Sequence, residues 1–343
     1  MKAHPFLMFQ GQAKDALALY REVFPDYEEL LLQEHAEGAQ AGQIAMARIR
    51  IARLEILLYD SPPVHDFTFT PSTSTFIECD DEAQLRALAG TLGEGGAVMM
   101  GIDNYGFLLH DPASGETTCI DTPDADGYLR EAEGKGWRIT QIWNTHWHPD
   151  HAGGNAAIKA ATGCRITAPE VDAPKIAGID RTVKHRDTVS LGEWQAEVID
   201  VGGHTMGHVA YHLPEAGIAF VGDSLFALGC GRMFEGTPKQ FWASLSRLKG
   251  LPPKTTLYCA HEYTASNARF ALHADPDNVE LQLYATEIAD KRERGEPTVP
   301  MGLGRELATN PFLRADDEDI RNRWGGNSAP ETFARLRTAK DSF

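Results

Sequence analysis

The seven residues THWHPDH, positions 145 to 151, follow the strand-like run RITQIWNT and put three imidazoles and one carboxylate into a single short stretch. That density of ligand chemistry constrains the fold more than any other feature. Metal ligands need a rigid frame, and loops at the carboxyl ends of strands are where a sheet supplies one. His146 and His148, two apart, point the same way from an extended chain. Pro149, with a fixed φ and no N–H, keeps a helix from starting too early, and Asp150 and His151 are expected at the turn that follows. Three unrelated histidines in a polar turn are the bland alternative, and residues downstream argue against it. His204 in VGGHTMGH, Asp223 in FVGDS and His261 in CAHEY each end or follow an apolar strand. Taken singly, each would read better as a structural histidine or a turn aspartate. Their small neighbours Gly203, Gly222 and Ala260 let backbone and ligand approach closely. Together with THWHPDH they make five imidazoles and two carboxylates, enough for two adjacent divalent cations bridged by a carboxylate and a hydroxide. Imidazole mixed with carboxylate suits zinc first, with iron and manganese as the other candidates.

At 343 residues the chain exceeds what one compact core usually takes, and it reads as two or three units. Residues 1–96 open with the strand PFLMF and a helix in which Ala13, Ala16, Leu17, Tyr20, Val23 and Phe24 share one face. Strands are expected over Tyr27 to Gln33, Ile44 to Ile51, Leu54 to Tyr59 and Ser74 to Cys79, and a helix over Glu82 to Leu92, giving β-α-β-β-β and then β-α. From residue 97 the strands VMMGI, YGFLLHD and TTCIDT precede a helix over Ala125 to Lys135. Strand RITQIWNT, helix Asn155 to Ala161, strand CRITA, the strands of VSLGEWQAEVIDV, HVAYHLP and GIAFVGD, and helix Phe241 to Leu248 follow. From Asp275 helical patterns take over, Val279 to Lys291 being the longest. The class is therefore mixed α/β and α+β: a first unit at 1–96, a catalytic unit at 97–270 and a helical cap at 271–343.

Hydrophobic content of 42% and charged content of 24% are those of a soluble protein, and no apolar run is long enough to span a bilayer. The start MKAHPFLMFQ soon meets GQAKD and does not read as a signal peptide, so a cytoplasmic location and no membrane association are expected. Five scattered cysteines without a CxxC pair exclude a disulfide framework and a zinc ribbon. The formal charge of −17 excludes nucleic acid as a partner. It does not exclude an anionic small substrate, because salt screens the global field within about 10 Å and a few cations in a cleft outweigh it.

Two resemblances sharpen these expectations. PFLMFQGQAKDAL, YDSPPVHDFTFTPSTSTFIECDDE and GGAVMMGIDNYGF resemble the vicinal oxygen chelate superfamily, in its demethylubiquinone-methyltransferase-like branch. A complete domain of that type has two βαβββ modules, whereas here the second stops after a strand and a helix. His4, His35 and His65 show no ligand spacing, so this partial unit reads as a binding or assembly module. Its open sheet edge would be covered by a strand from a second chain, making a homo-oligomer. Further on, the pattern THxHxDH is met in full, and GCGRMFEGT, CAHEYT, GEPTVP, NPFLR and ARLRTAKDSF resemble metallo-β-lactamase-fold hydrolases, specifically the glyoxalase II (hydroxyacylglutathione hydrolase) family.

That resemblance implies an αββα sandwich with a C-terminal helical cap. It implies that His146, His148 and His204 hold one metal, that Asp150, His151 and His261 hold the other, and that Asp223 bridges them. It implies that Arg232, Tyr263, Arg337 and Lys340 bind the glutathione part of the substrate. Phe234 stands where the family often has tyrosine, and VGGHT replaces the more usual TPGHT. His110, His208 and His212 match no ligand position; His208, four residues after His204, reads equally as orienting a ligand or as a core histidine. The implied reaction is hydrolysis of the thioester of S-D-lactoylglutathione to glutathione and a 2-hydroxy acid, with Asp150 orienting a metal-activated hydroxide. A thiolate leaves readily, so no dedicated general acid is needed. No GxSxG elbow is present and Cys230 has no paired base, which disfavours a nucleophilic side chain. The rivals are another hydrolase of this fold (a lactonase, β-lactamase or nuclease), an iron sulfur dioxygenase, and a metal-stabilised binding or scaffold protein.

Overall fold

The structure, a computed structural model, describes residues 4–38, 40–51, 53–62 and 104–343. The expected strand over Ser74 to Cys79, the helix over Glu82 to Leu92, the strand VMMGI, His65 and the 96/97 boundary lie outside the described residues. The chain forms two compact units, Met1–Met100 and Gly101–Phe343.

In the first unit β1 (Phe6–Phe9), α1 (Ala13–Val23), β2 (Glu28–Glu34), β3 (Ile44–Ile51) and β4 (Leu54–Asp60) follow the expected βαβββ order. The sheet runs β1-β4-β3-β2, with β1 parallel to β4 and the other pairs antiparallel. Ala13 and Leu17 of α1 pack on Ile44, Ala47, Ile49, Ile56 and Leu58, so the helical stripe and the alternate strand positions close one core. The buried Asp60 carboxylate accepts the backbone N–H of Gly11 (2.8 Å), Ala13 (3.0 Å) and Ile44 (2.9 Å), pinning the start of the helix to the sheet. His4 and His35 join no cluster of metal-binding side chains among the described residues.

The second unit is a four-layer α-β-β-α stack. β5 (Phe107–Asp111), β6 (Glu116–Ile120), β7 (Arg138–Trp143), β8 (Arg165–Pro169) and β9 (Arg181–Val183) make a five-stranded sheet in sequence order. β10 (Thr188–Leu191), β11 (Trp194–Asp200), β12 (Val209–Leu213) and β13 (Ile218–Gly222) continue into a second sheet. A two-stranded hairpin, β14 (Leu225–Phe226) and β15 (Gly229–Cys230), precedes the remaining strands of that sheet, β16 (Thr256–Cys259) and β17 (Met301–Gly302). Strand alternation builds the layers. Ile120 and Trp143 face inward and meet Val198, Tyr211 and Phe220 of the other sheet, while Cys119, Ile139 and Ile142 face outward. The outward set is covered by α2 (Ala125–Lys135) and by a helix over Asn155–Thr162, through Tyr128, Ala132 and Ile158. α2 has the bounds expected from sequence because its ends are marked: Asp124 accepts from Gly127 N at 3.1 Å, and Gly136 closes it at φ 68.

The outer face of the second sheet is covered by helices Pro238–Lys249, Thr264–Ala274, Val279–Glu293, Leu303–Thr309, Glu318–Trp324 and Ala329–Asp341. Two features depart from a purely helical cap beginning at residue 271. Helix Thr264–Ala274 runs across that position, and Met301–Gly302 pairs antiparallel with β16 as a sixth strand. The strand is invisible in the sequence because a two-residue strand has no period to read. No helix among the described residues is long and apolar enough to cross a membrane.

Candidate metal centre and substrate face

Four loops, each following a strand, bring the expected ligands together. The loop after β7 carries His146, His148, Asp150 and His151; His204 follows β11, Asp223 follows β13 and His261 follows β16. One difference from the sequence reading concerns Pro149. It begins a one-turn helix, Pro149–Ala152, instead of delaying one, because proline is tolerated where the N–H would be unpaired anyway. Asp150 and His151 therefore sit on a helical turn.

Ligand atoms form three overlapping groups within 4.8 Å: His146, His148 and His204; His146, His151 and Asp223; Asp150, His151 and His261. His148 Nδ1 lies 2.9 Å from His146 Nε2 and 3.0 Å from His204 Nε2. Asp223 faces both sides. Its Oδ2 is 3.4 Å from His204 Nε2, and its Oδ1 is 3.4 Å from His151 Nε2 and 3.2 Å from His261 Nε2. Asp150 Oδ2 lies 3.6 Å from His151 Nε2 and 3.5 Å from His261 Nε2.

The hydrogen bonds on the far side of each ring fix its tautomer. His204 Nδ1 donates to the Arg232 carbonyl at 2.8 Å, His151 Nδ1 donates to Asp121 at 2.8 Å, and His146 Nδ1 lies 3.1 Å from the Thr145 hydroxyl. The three Nε2 lone pairs are thereby turned inward, toward one another and toward carboxylates. His151 Nε2 and Asp223 Oδ1 are buried without a hydrogen-bond partner among the described residues. Lone pairs facing lone pairs in a buried space are unfavourable unless cations lie among them, so this donor set fits two divalent ions. Burial holds His146 and His204 below the ordinary imidazole range and takes His148 down to about 4, which keeps these rings neutral and ligand-ready. Burial opposes charge on His151 and Asp223 too, yet their mutual attraction, with Asp121 beside His151, outweighs it in both.

Asp121, not singled out from sequence, is central. At φ 57 after β6 its carboxylate accepts Thr145 N (2.7 Å), Thr145 Oγ1 (2.8 Å) and His151 Nδ1. His208 is fully buried, stacks on His146 at 4.6 Å, and its Nε2 accepts Asp223 N–H at 3.0 Å. It both orients a ligand and fills the core, joining the two readings that the sequence left open. His110 stacks on Trp137 and bonds Thr117, and His212 lies in β12 near Glu197, so neither approaches the centre. Glu235, also missed, accepts Trp147 Nε1, Lys175 Nζ and Met206 N, tying three loops at the rim.

The expected substrate residues gather beside the ligands. Tyr263 stacks on His261 at 4.7 Å, Arg232 is 57% exposed, and Lys340 Nζ donates to Ser266. Burial and the neighbouring Arg337, Arg269 and Arg232 take the Lys340 ammonium down to about 8. Arg337 is only 4% exposed; it donates to the Cys230 carbonyl at 2.9 Å and to Asp341 at 3.0 Å, and its Nε has no partner among the described residues. Arg337 and Lys340 are thus not the solvated face of a short helix, which is how a basic pair reads without its context. Phe234, 62% exposed, lies edge-on to the rings of His148 and His204 at 5.8 and 5.1 Å.

Comparison with known proteins agrees with this geometry. The metallo-beta-lactamase superfamily model matches residues 108–261, the model for the hydroxyacylglutathione hydrolase C-terminus matches 262–343, and that of 3-demethylubiquinone-9 3-methyltransferase matches 1–124. A hydroxyacylglutathione hydrolase of Erythrobacter litoralis is 69% identical over 241 residues, covering 70% of this chain and 96% of that protein. The chain belongs to the hydroxyacylglutathione hydrolase family. Another hydroxyacylglutathione hydrolase, from Maricaulis maris, is 60% identical over 243 residues, covering 70% of this chain and 95% of that protein. Among solved structures, ETHE1 from Myxococcus xanthus is 22% identical, covering 70% of this chain and 94% of that chain at a TM-score of 0.48. The family accounts for the αββα stack and the helices after it, and an N-terminal vicinal-oxygen-chelate-like unit precedes them.

Proposed function

We propose that residues from Gly101 onward hydrolyse the thioester of S-(2-hydroxyacyl)glutathione, S-D-lactoylglutathione first among them, to glutathione and a 2-hydroxy acid. The observation that carries this reading is the Asp223 carboxylate, one oxygen toward His204 and the other toward His151 and His261. In this reading residues 97–270 supply the metal ligands: His146, His148 and His204 for one divalent ion, Asp150, His151 and His261 for the other, with Asp223 shared. Residues 271–343 add cations to the substrate face. When bound, the pair of ions, zinc or else iron or manganese, supplies Lewis acidity and water activated near neutral pH.

The chain's own residues do the rest. Asp150, half exposed at the mouth, accepts a hydrogen bond from the attacking water and orients it. Arg232 and Lys340 attract the two glutathione carboxylates, and Tyr263 offers a phenol donor beside them. The buried Arg337 acts on the carboxylates through its charge and through its hold on the Cys230 carbonyl. Phe234, without a hydroxyl, excludes water from the His148 and His204 side and forgoes one hydrogen bond, about 0.5–1.5 kcal/mol of affinity. The leaving thiolate departs without needing a proton donor, since a thiol is acidic enough for its anion to leave. The net charge of −17 does not oppose an anionic substrate, because salt screens the global field within about 10 Å and the cations of this face act locally.

Thiol release from S-D-lactoylglutathione, measured together with metal content, tests the reading. Wild-type protein is expected to turn over with two metals bound, and Asp223→Ala to lose about a thousandfold in turnover and at least one metal. Wild-type-like activity in Asp223→Ala, or an inert wild type with both metals in place, would overturn it.

A further inference from the structure

Between Asp223 and Arg232 runs the hairpin Leu225–Cys230, whose own pairing is limited to Leu225 with Cys230 and Phe226 with Gly229, too little to hold it alone. Its tip, Leu228, adopts φ 54, a left-handed conformation that costs a non-glycine residue about 1 kcal/mol or more. The strain is held from the C-terminal helices. The Leu228 side chain is fully buried among Ala268, Ala271, Leu281 and Ile288, and its N–H donates to Glu306 at 2.8 Å. Asn310 Nδ2 shares its hydrogens among the Phe226 carbonyl (3.2 Å), the Gly229 carbonyl (3.1 Å) and Glu306 (3.0 Å). Asn267 Nδ2 donates to the Ala227 carbonyl at 3.1 Å, and Arg337 takes that of Cys230. The carbonyls of residues 226, 227, 229 and 230 are all bound by side chains from beyond residue 262.

The opposite side of the hairpin meets the centre. Arg232 O accepts from His204 Nδ1, Gly231 N donates to the Ser224 carbonyl at 3.4 Å, and the Phe226 ring lies 5.9 Å from His261 and 5.3 Å from Tyr263. A shift of this hairpin would move Asp223, the tautomer-fixing acceptor of His204 and the Arg232 guanidinium together. We infer that Glu306 and Asn310 are positioning residues: from the helical cap they set the hairpin that aligns Asp223 and Arg232, so the cap helps build the metal centre as well as the substrate face. The inference rests on the functional reading above.

Asn310→Ala removes the donors, and Leu228→Gly removes the buried anchor while suiting the backbone angle. Both are compared with wild type and with Leu283→Ala, an exposed position on helix Val279–Glu293. In Asn310→Ala, metal affinity by chelator competition is expected to fall about tenfold or more, kcat to fall and KM to rise together, and hydrogen exchange over residues 224–232 to quicken. If Asn310→Ala does not fold, Leu228→Gly carries the same expectations. Unchanged metal affinity in folded variants, or a change in KM alone while wild type is active, would sink this inference only. A wild type that binds no metal and cleaves no thioester would sink the functional reading and this one with it.

Discussion

Lys340 sits where burial and three arginines disfavour its charge, so its ammonium titrates near pH 8, below the ordinary lysine value. The sign follows: the cation that attracts the substrate carboxylates is present below pH 8 and lost above it. Bound substrate adds negative charge and restores the proton, so the loss belongs to the free enzyme. We expect kcat/KM to fall by about fivefold to tenfold between pH 7 and pH 9 while kcat stays level, and Lys340→Arg to remove that limb. A pH profile that is the same in both proteins would refute the assignment. That these side chains would gather was legible from sequence, because THWHPDH packs imidazoles and a carboxylate at a spacing with no structural use. Asp121 was not: one aspartate after TTCI has the same appearance as any turn aspartate, and its link to His151, thirty residues on, exists only in the fold. Glu235 and Asn310 were hidden for the same reason, since each acts through backbone groups distant in sequence.

At the level of elements, the strands and helices with a clear period and marked ends were readable, α2 to the residue, and β1 to β4 nearly so. What escaped was mostly short, the turn begun by Pro149, the hairpin Leu225–Cys230 and the strand Met301–Gly302, none long enough to show a repeat, together with the longer helix Thr264–Ala274. The end of β13 shows how an element delivers a side chain to the candidate centre. Gly222, at φ 50, brings Asp223 inward, and a Cβ there would lie 2.6 Å from Thr145 Oγ1 and 2.7 Å from the His208 ring. Gly222→Ala must therefore strain the backbone and push apart the two residues that seat His146 and Asp223. We expect a loss of about 2 kcal/mol, roughly 4–8 °C in melting temperature, and weaker metal binding. An unchanged melting curve with full metal content would show that the loop yields without cost.

For the molecule as a whole, a fully buried carboxylate makes stability depend on pH. Burial pushes the Glu306 carboxyl up to about 7, against the hydrogen bonds it accepts from Leu228, Asn310 and Tyr284. Between its ordinary value and pH 7 the folded chain keeps a proton that the unfolded chain has released, so stability falls as pH rises through that window, by about 1–3 kcal/mol. Glu306→Gln, which titrates nowhere, should gain in melting temperature relative to wild type between pH 5 and pH 8; a constant difference would contradict the shift. The cysteines have a chemical consequence of their own. Cys119, Cys164, Cys230 and Cys259 are all free and buried, and burial raises each thiol, Cys230 to about 11 and Cys259 to about 12. A catalyst that sheds a reactive sulfhydryl at every turnover thus offers none of these four sulfurs as a thiolate for mixed-disulfide capture, and its own product cannot fasten onto them.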